Sequence, residues 1–165
     1  MKKRLVAAAL LSVSTLGAQA HEFTLGSLTI DHPFAFATPP AAPVAGGYMT
    51  IANDGPSDDV LLAVRVDPEL AGMMQLHEMR MEGDIMRMSE IEGGIPIPAG
   101  ETVKLEQGGL HVMFMRLPQG FEEGQEIPAT LIFQQAGEVD VVFNVEARGA
   151  QEHDHSGHGG QSHDH

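Results

Sequence analysis

The chain has 165 residues, with nine Lys and Arg against 23 Asp and Glu, nine His, ten Met, and neither Cys nor Trp. That length accommodates one domain, and a formal charge of −14 opposes binding to nucleic acid or to an anionic membrane. The missing Cys excludes a disulfide scaffold, a thiolate metal site and a Cys nucleophile.

Lys2, Lys3 and Arg4 precede a mostly apolar run from Leu5 to Leu16, and Ala18-Gln19-Ala20 supplies a small-x-small cleavage pattern. Residues 1–20 are therefore predicted to be a secretory signal peptide. The run is too short to span a bilayer as a helix, so no membrane insertion is expected. Its removal takes three basic residues and no acidic one, which leaves a more acidic chain beginning at His21.

From there the sequence reads as short strands separated by turn signals. Leu25 to Ile30 and Phe34 to Thr38 flank Asp31-His32-Pro33, and Gly47 to Ala52 follows a proline-rich stretch that cannot be a central strand. Val60 to Val66 leads to Asp67-Pro68-Glu69-Leu70, where an N-cap and a Pro at the first position predict one helical turn. Met74 to Met81 and Ile85 to Ile91 form a predicted hairpin across Glu82-Gly83-Asp84. A long Gly/Pro loop occupies residues 93–100. Thr102 to Leu105, Leu110 to Leu117, Pro128 to Gln134 and Glu138 to Ala147 complete the set. Nine or ten short strands at this spacing predict an all-β fold, an antiparallel sandwich over residues 21–149. Residues 150–165 carry no apolar side chain beyond Ala150 and are expected to be a disordered His-rich tail.

Eight of the ten Met lie between Met73 and Met115, together with His77 and His111. Period-two alternation puts His77, Met79 and Met81 on one face of a strand, Met86 and Met88 on one face of its hairpin partner, and His111, Met113 and Met115 on one face of a third. Methionine alone is an ordinary core filler. Three strands that replace Val, Ile and Leu by Met, and add His on the same faces, sacrifice β-propensity and packing specificity. They also introduce polar groups that need partners. One shared metal accounts for both features. Neutral thioethers suit Cu(I) and contribute little to Zn(II), Mg(II) or Ca(II), whereas a blue-copper centre needs a Cys thiolate.

The run His77-Glu78-Met79, Met86-Arg87-Met88, Ile97-Pro98-Ala99-Gly100 and Gly108-Gly109-Leu110-His111-Val112-Met113 resembles the periplasmic copper chaperones of the PCu(A)C family. Their pattern is His, ten residues, Met, about twenty-one residues, His-x-Met. Here residues 78–87 supply the ten and residues 89–110 supply twenty-two. The resemblance extends from Glu22 to Arg148 and departs at Phe34 and Phe36, where the family shows Trp and Arg. It implies a cupredoxin-like Greek-key β-sandwich that holds Cu(I) through His77, Met88, His111 and Met113. It also implies a binding protein rather than an enzyme, delivering copper to the Cu(A) or Cu(B) centre of a respiratory haem–copper oxidase, beside a Sco-type copper protein. Met79, Met81, Met86 and Met115 have no place in the motif and are candidate auxiliary ligands or a hydrophobic shell. A monomer is expected.

His153, His155, His158, His163 and His165 form a tail able to chelate Cu(II). Signal cleavage would give His21 a free amine, a second Cu(II) chelate similar to that of copper oxygenases acting on polysaccharides. Those enzymes present an aromatic binding face, and this chain has one Tyr and no Trp. Two further readings remain beside the chaperone: a copper buffer or resistance protein with the same ligands and no dedicated client, and an interaction module whose Met cluster is only core.

Overall fold

A computed structural model describes residues 22–149. The predicted signal peptide, His21 and the predicted tail over 150–165 lie outside the described residues. Eleven strands follow in order: β1 (Glu22–Leu25), β2 (Leu28–Phe36), β3 (Val44–Asn53), β4 (Asp59–Val66), β5 (Met73–Glu82), β6 (Ile85–Glu90), β7 (Ile95–Ile97), β8 (Thr102–Leu105), β9 (Leu110–Met115), β10 (Glu126–Phe133) and β11 (Gly137–Glu146). Among the described residues no helix is long and apolar enough to cross a membrane. The turn after β4 is the expected one: the Asp67 carboxylate accepts the Glu69 N–H at 2.9 Å, and its carbonyl accepts the Leu70 and Ala71 N–H groups.

The strands run in the order β6-β5-β9-β8-β3-β2-β11-β10-β4-β7, with β1 paired to β2. The inner faces meet in one core, where Phe114 stacks edge-on against Phe121 and Phe143 at centroid separations of 5.2 and 5.4 Å. Gly47 faces this cluster. A Cβ there would lie 2.7 Å from the Phe114 ring, so the aromatic packing requires glycine at that point.

Three expectations are corrected. The sandwich is mixed rather than wholly antiparallel, because β11 pairs with β2 in parallel and β8 meets β9 in parallel at Leu105 and Leu110. The second case has a local cause. Both β8 and β9 run antiparallel to β3, one opposite Met49–Ala52 and the other opposite Val44–Gly47. They lie end to end along the same edge of β3, interrupted by the excursion at residues 106–109.

Asp31-His32-Pro33 does not separate two strands. It is a bulge within β2, with a register shift between Asp31 and Phe34 and a left-handed His32 at φ 49°. Pro33 has no N–H for the ladder, and the extra residue switches the inward set from Leu28 and Ile30 to Pro33 and Ala35. The predicted loop at residues 93–100 also contains β7. Its Ile95 and Ile97 are buried while Pro96 sits on the outer edge of the sheet, a two-residue alternation masked by the surrounding glycines and prolines.

Candidate metal centre

The predicted hairpin forms with Gly83-Asp84 as its two-residue turn, and Gly83 adopts φ 64°. Strand β5 lies between β6 and β9. Its register sets His77 opposite His111, Gln75 opposite Met113 and Met79 opposite Met88. Directly opposed residues share a face, so the three predicted His and Met rows coincide on one side of the sheet. The other side of β9 presents Val112 and Phe114 to the core.

The four residues implied by the motif meet around His111. The two imidazoles stand 5.8 Å apart between centroids, tilted at 69°. The sulfur of Met88 reaches across β5 to 3.3 Å from His111 Nε2. Met113 and Met79 line a shallow depression of about 240 Å³ with His111, and Gly46, Tyr48, Gln107 and Gly108 form its rim. Met81 and Met86 are opposed to each other farther out along the hairpin. Met115 is not gathered into this group: it lies at the far end of β9, opposite Met73 and Val44.

Hydrogen bonds settle the tautomers. His111 Nδ1 is 3.0 Å from the Gly109 carbonyl, which can only accept. The proton is therefore on Nδ1, and Nε2 turns a lone pair toward the thioether of Met88, which cannot donate. The same Gly109 carbonyl accepts the Met79 N–H at 3.1 Å, tying β5 to the ring it orients. On His77, Nε2 is 2.9 Å from Gln75 Oε1, while the Gln75 amide donates to Glu90 at 2.9 Å. Because the Glu90 carboxylate fixes which end of Gln75 faces the ring, His77 carries its proton on Nε2. Its Nδ1 is a buried lone pair with no partner. Burial first, and the neighbouring His111 second, hold the His77 imidazole below its ordinary value of 6.5, with Glu90 partly opposing. Two imidazoles with lone pairs to offer, one thioether at contact distance and two more lining the same depression make a donor set for a soft monovalent cation. Among the described residues no group of three or more His, Asp or Glu side chains converges, so a hard-metal cage is not built here.

Sequence reasoning missed the supporting residues. Gln75 and Glu90 occupy the same period-two rows as the His and Met, which was a usable signal. Strand periodicity gives no such signal for Tyr48, Gly46 and Gln107, because they arrive from β3 and from the excursion after β8; Gly46 and Tyr48 do lie in a run, Ala45-Gly46-Gly47-Tyr48, that belongs to the PCu(A)C resemblance. A Cβ on Gly46 would lie 2.5 Å from the Tyr48 hydroxyl. The missing side chain is what lets the phenol close over the depression beside Met113. Burial raises the Tyr48 phenol above its ordinary 10, partly offset by its hydrogen bond with Gln107 and by Arg148.

Residues 28–145 match the sequence model of the LpqE-like family. The chain belongs to the LpqE-like family. A curated relative of this LpqE-like chain, "Putative lipoprotein Lxx21020" of Leifsonia xyli subsp. xyli, is 35% identical over 106 residues, covering 61% of this chain and 63% of that protein. The chain thus spans less than two thirds of that relative. Among solved structures, the copper-bound PCuAC domain from PmoF2 superimposes with a TM-score of 0.64 at 27% identity, covering 78% of this chain and 99% of that domain. The solution structure of the Cu(I) form of DR1885 from Deinococcus radiodurans gives 0.54 at 25% identity, covering 78% and 83%. The expected PCu(A)C resemblance and cupredoxin-like β-sandwich both hold for the LpqE-like chain.

Proposed function

We propose that this protein is an extracytoplasmic copper chaperone whose cargo is Cu(I), held by His77, Met88, His111 and Met113. The observation that carries the reading is the approach of His111 Nε2 to the Met88 sulfur at 3.3 Å with the imidazole proton committed to Gly109 on the opposite nitrogen. With the ring in that tautomer two lone-pair donors face each other, an arrangement that a soft cation satisfies. Similarity to copper-bound and Cu(I)-bound PCuAC structures supports the same cargo.

Neutral ligands leave a bound Cu(I) with a single positive charge, cheaper to shield than a dication. Met88 is exposed while His111 and Met113 are buried. An incoming ligand can therefore displace the thioether on the open side before the imidazoles let go, and transfer proceeds by stepwise exchange. The acidic surface steers the loaded protein toward a basic partner patch.

In this reading residues 1–20 direct export to the periplasm, where the receiving partner is the Cu(A) or Cu(B) centre of a respiratory haem–copper oxidase, alongside a Sco-type protein. The histidines of the tail (His153, His155, His158, His163, His165) and His21 collect Cu(II). No step of this role is enzymatic. The decisive experiment mixes the Cu(I)-loaded protein with an apo Cu(A) domain and follows the absorption of that centre. Appearance of the Cu(A) spectrum is expected. Its failure, together with loss of copper tolerance in a deletion strain, would leave a copper buffer in place of a chaperone. Removing residues 150–165 is expected to abolish the Cu(II) isotherm of the tail, sparing that of His21, and to leave Cu(I) affinity intact.

A further inference from the structure

The hairpin of β5 and β6 carries more methionine than the site at its base uses. Met79 is opposed to Met88 and Met81 to Met86, so four thioethers form two adjacent cross-strand pairs on one face. Packing does not account for the outer ones. Met81 is 61% exposed, Met86 49% and Met88 51%, whereas methionine used as filler is enclosed by other side chains. The opposite face of the hairpin bears the Glu78–Arg80 and Glu82–Arg87 ion pairs, each at 2.8 Å. Both faces of this segment are in water, and only one is polar.

We propose that Met81 and Met86, with Met79 as the third donor, form a second soft-metal site at the outer end of the hairpin, for monovalent Cu(I) or Ag(I). Opposed residues on antiparallel strands have Cβ atoms about 5 Å apart, and three rotatable bonds let each thioether swing onto a shared ion. The chemistry of the face selects the ion. Between Met88 and the turn it carries only thioethers, and Glu78, Arg80, Glu82 and Arg87 project to the other side. Thioethers alone hold soft cations and give Zn(II), Ca(II) or Mg(II) no adequate ligand.

The outer pair is continuous with the inner group. Met79 lines the depression beside His111, and Met88 touches the His111 ring. Cu(I) passing from the imidazole pair to Met79 and Met88, and then to Met81 and Met86, exchanges one neutral ligand for another. No proton and no electron changes hands. The relay rests on the proposed Cu(I) role of the inner group, whereas the outer site stands without it.

The test uses the full chain with its methionine methyl groups labelled with carbon-13, titrated with Ag(I), which binds like Cu(I) and does not oxidise. Each thioether reports separately, whatever the histidines outside residues 22–149 take up. The methyl signals of Met81 and Met86 are expected to shift together, in a step later than those of Met88 and Met113. The double variant Met81→Leu, Met86→Leu loses that later step and keeps the first. Methyl signals of Met81 and Met86 that stay fixed while Met88 and Met113 saturate would overturn the outer site. Silence from Met88 and Met113 with movement of Met81 and Met86 would overturn the inner assignment and leave the outer one standing.

Discussion

Met88 and His111 touch at 3.3 Å although their strands are not neighbours. Strand β5 lies between β6 and β9, and the thioether crosses above it, two register positions out from the His77–His111 pair. The contact joins a solvent-exposed residue to a buried one. A site with one fixed wall and one movable wall can close on an ion and reopen without unfolding.

Replacing Met88 or Met113 by Leu removes one donor while nearly conserving volume, a change that costs less than about 1.5 kcal/mol in a core and less at exposed Met88. Each variant is expected to keep its far-ultraviolet circular dichroism and to lose Cu(I) affinity by at least about tenfold, the lower range seen when metal-site partners are removed. Competition with a chromophoric Cu(I) chelator measures it.

Gln75 fixes the His77 tautomer through Oε1 and is itself fixed by Glu90. Gln75→Leu frees the ring to exchange its proton between nitrogens. Cu(I) affinity is expected to fall about 10- to 100-fold with the fold intact. Nitrogen-15 NMR of the imidazole would then show a mixture of tautomers where the parent shows one. A single unchanged tautomer in the variant refutes the positioning role.

The pH response follows from the sign of the His77 shift. Its folded value is depressed below 6.5, by burial first, so the unfolded chain takes up this proton more readily. The contribution of His77 to stability is present above 6.5 and is lost as pH falls through the lower folded value. Denaturation midpoints should decline between neutral and mildly acid pH, and His77→Asn should flatten part of that decline.

Tyr48 is the only Tyr, and there is no Trp, so tyrosinate absorbance reads a single residue. Its midpoint should lie above 10 in the folded protein. Gly46→Ala displaces the phenol that closes over the depression and should move that midpoint back toward 10, with weaker Cu(I) retention. Because the folded value is raised, the associated stability is present below 10 and disappears as pH climbs through the folded value.

Buried Asp59 serves the fold at a distance from the site. One carboxylate oxygen accepts the Val60 and Gln135 N–H groups at 2.8 Å, and the other accepts that of Ala136 at 2.9 Å. Asp59→Ala strands those donors and should destabilise by about 3 kcal/mol with Cu(I) affinity unchanged. The paired measurement separates structural residues from site residues.

The amino-acid sequence by itself determined which residues could share a face. Strand alternation is a local, period-two property, so the rows His77/Met79/Met81, Met86/Met88 and His111/Met113/Met115 were legible before any contact was known. The hairpin was legible for the same reason, from a short Gly-containing turn between two alternating runs. The absence of Cys confined the donors to imidazole and thioether. Only the tertiary structure decided that the three rows coincide, because strand order and register are set by pairing between distant segments. It alone fixed the tautomers, through the Gly109 carbonyl and the Gln75–Glu90 pair, and brought Tyr48 over Gly46. It also set the parallel pairing of β11 with β2, and left Met115 outside the group despite its place in the row. Those features depend on which atoms meet across the sandwich, and a period of two carries no information about that.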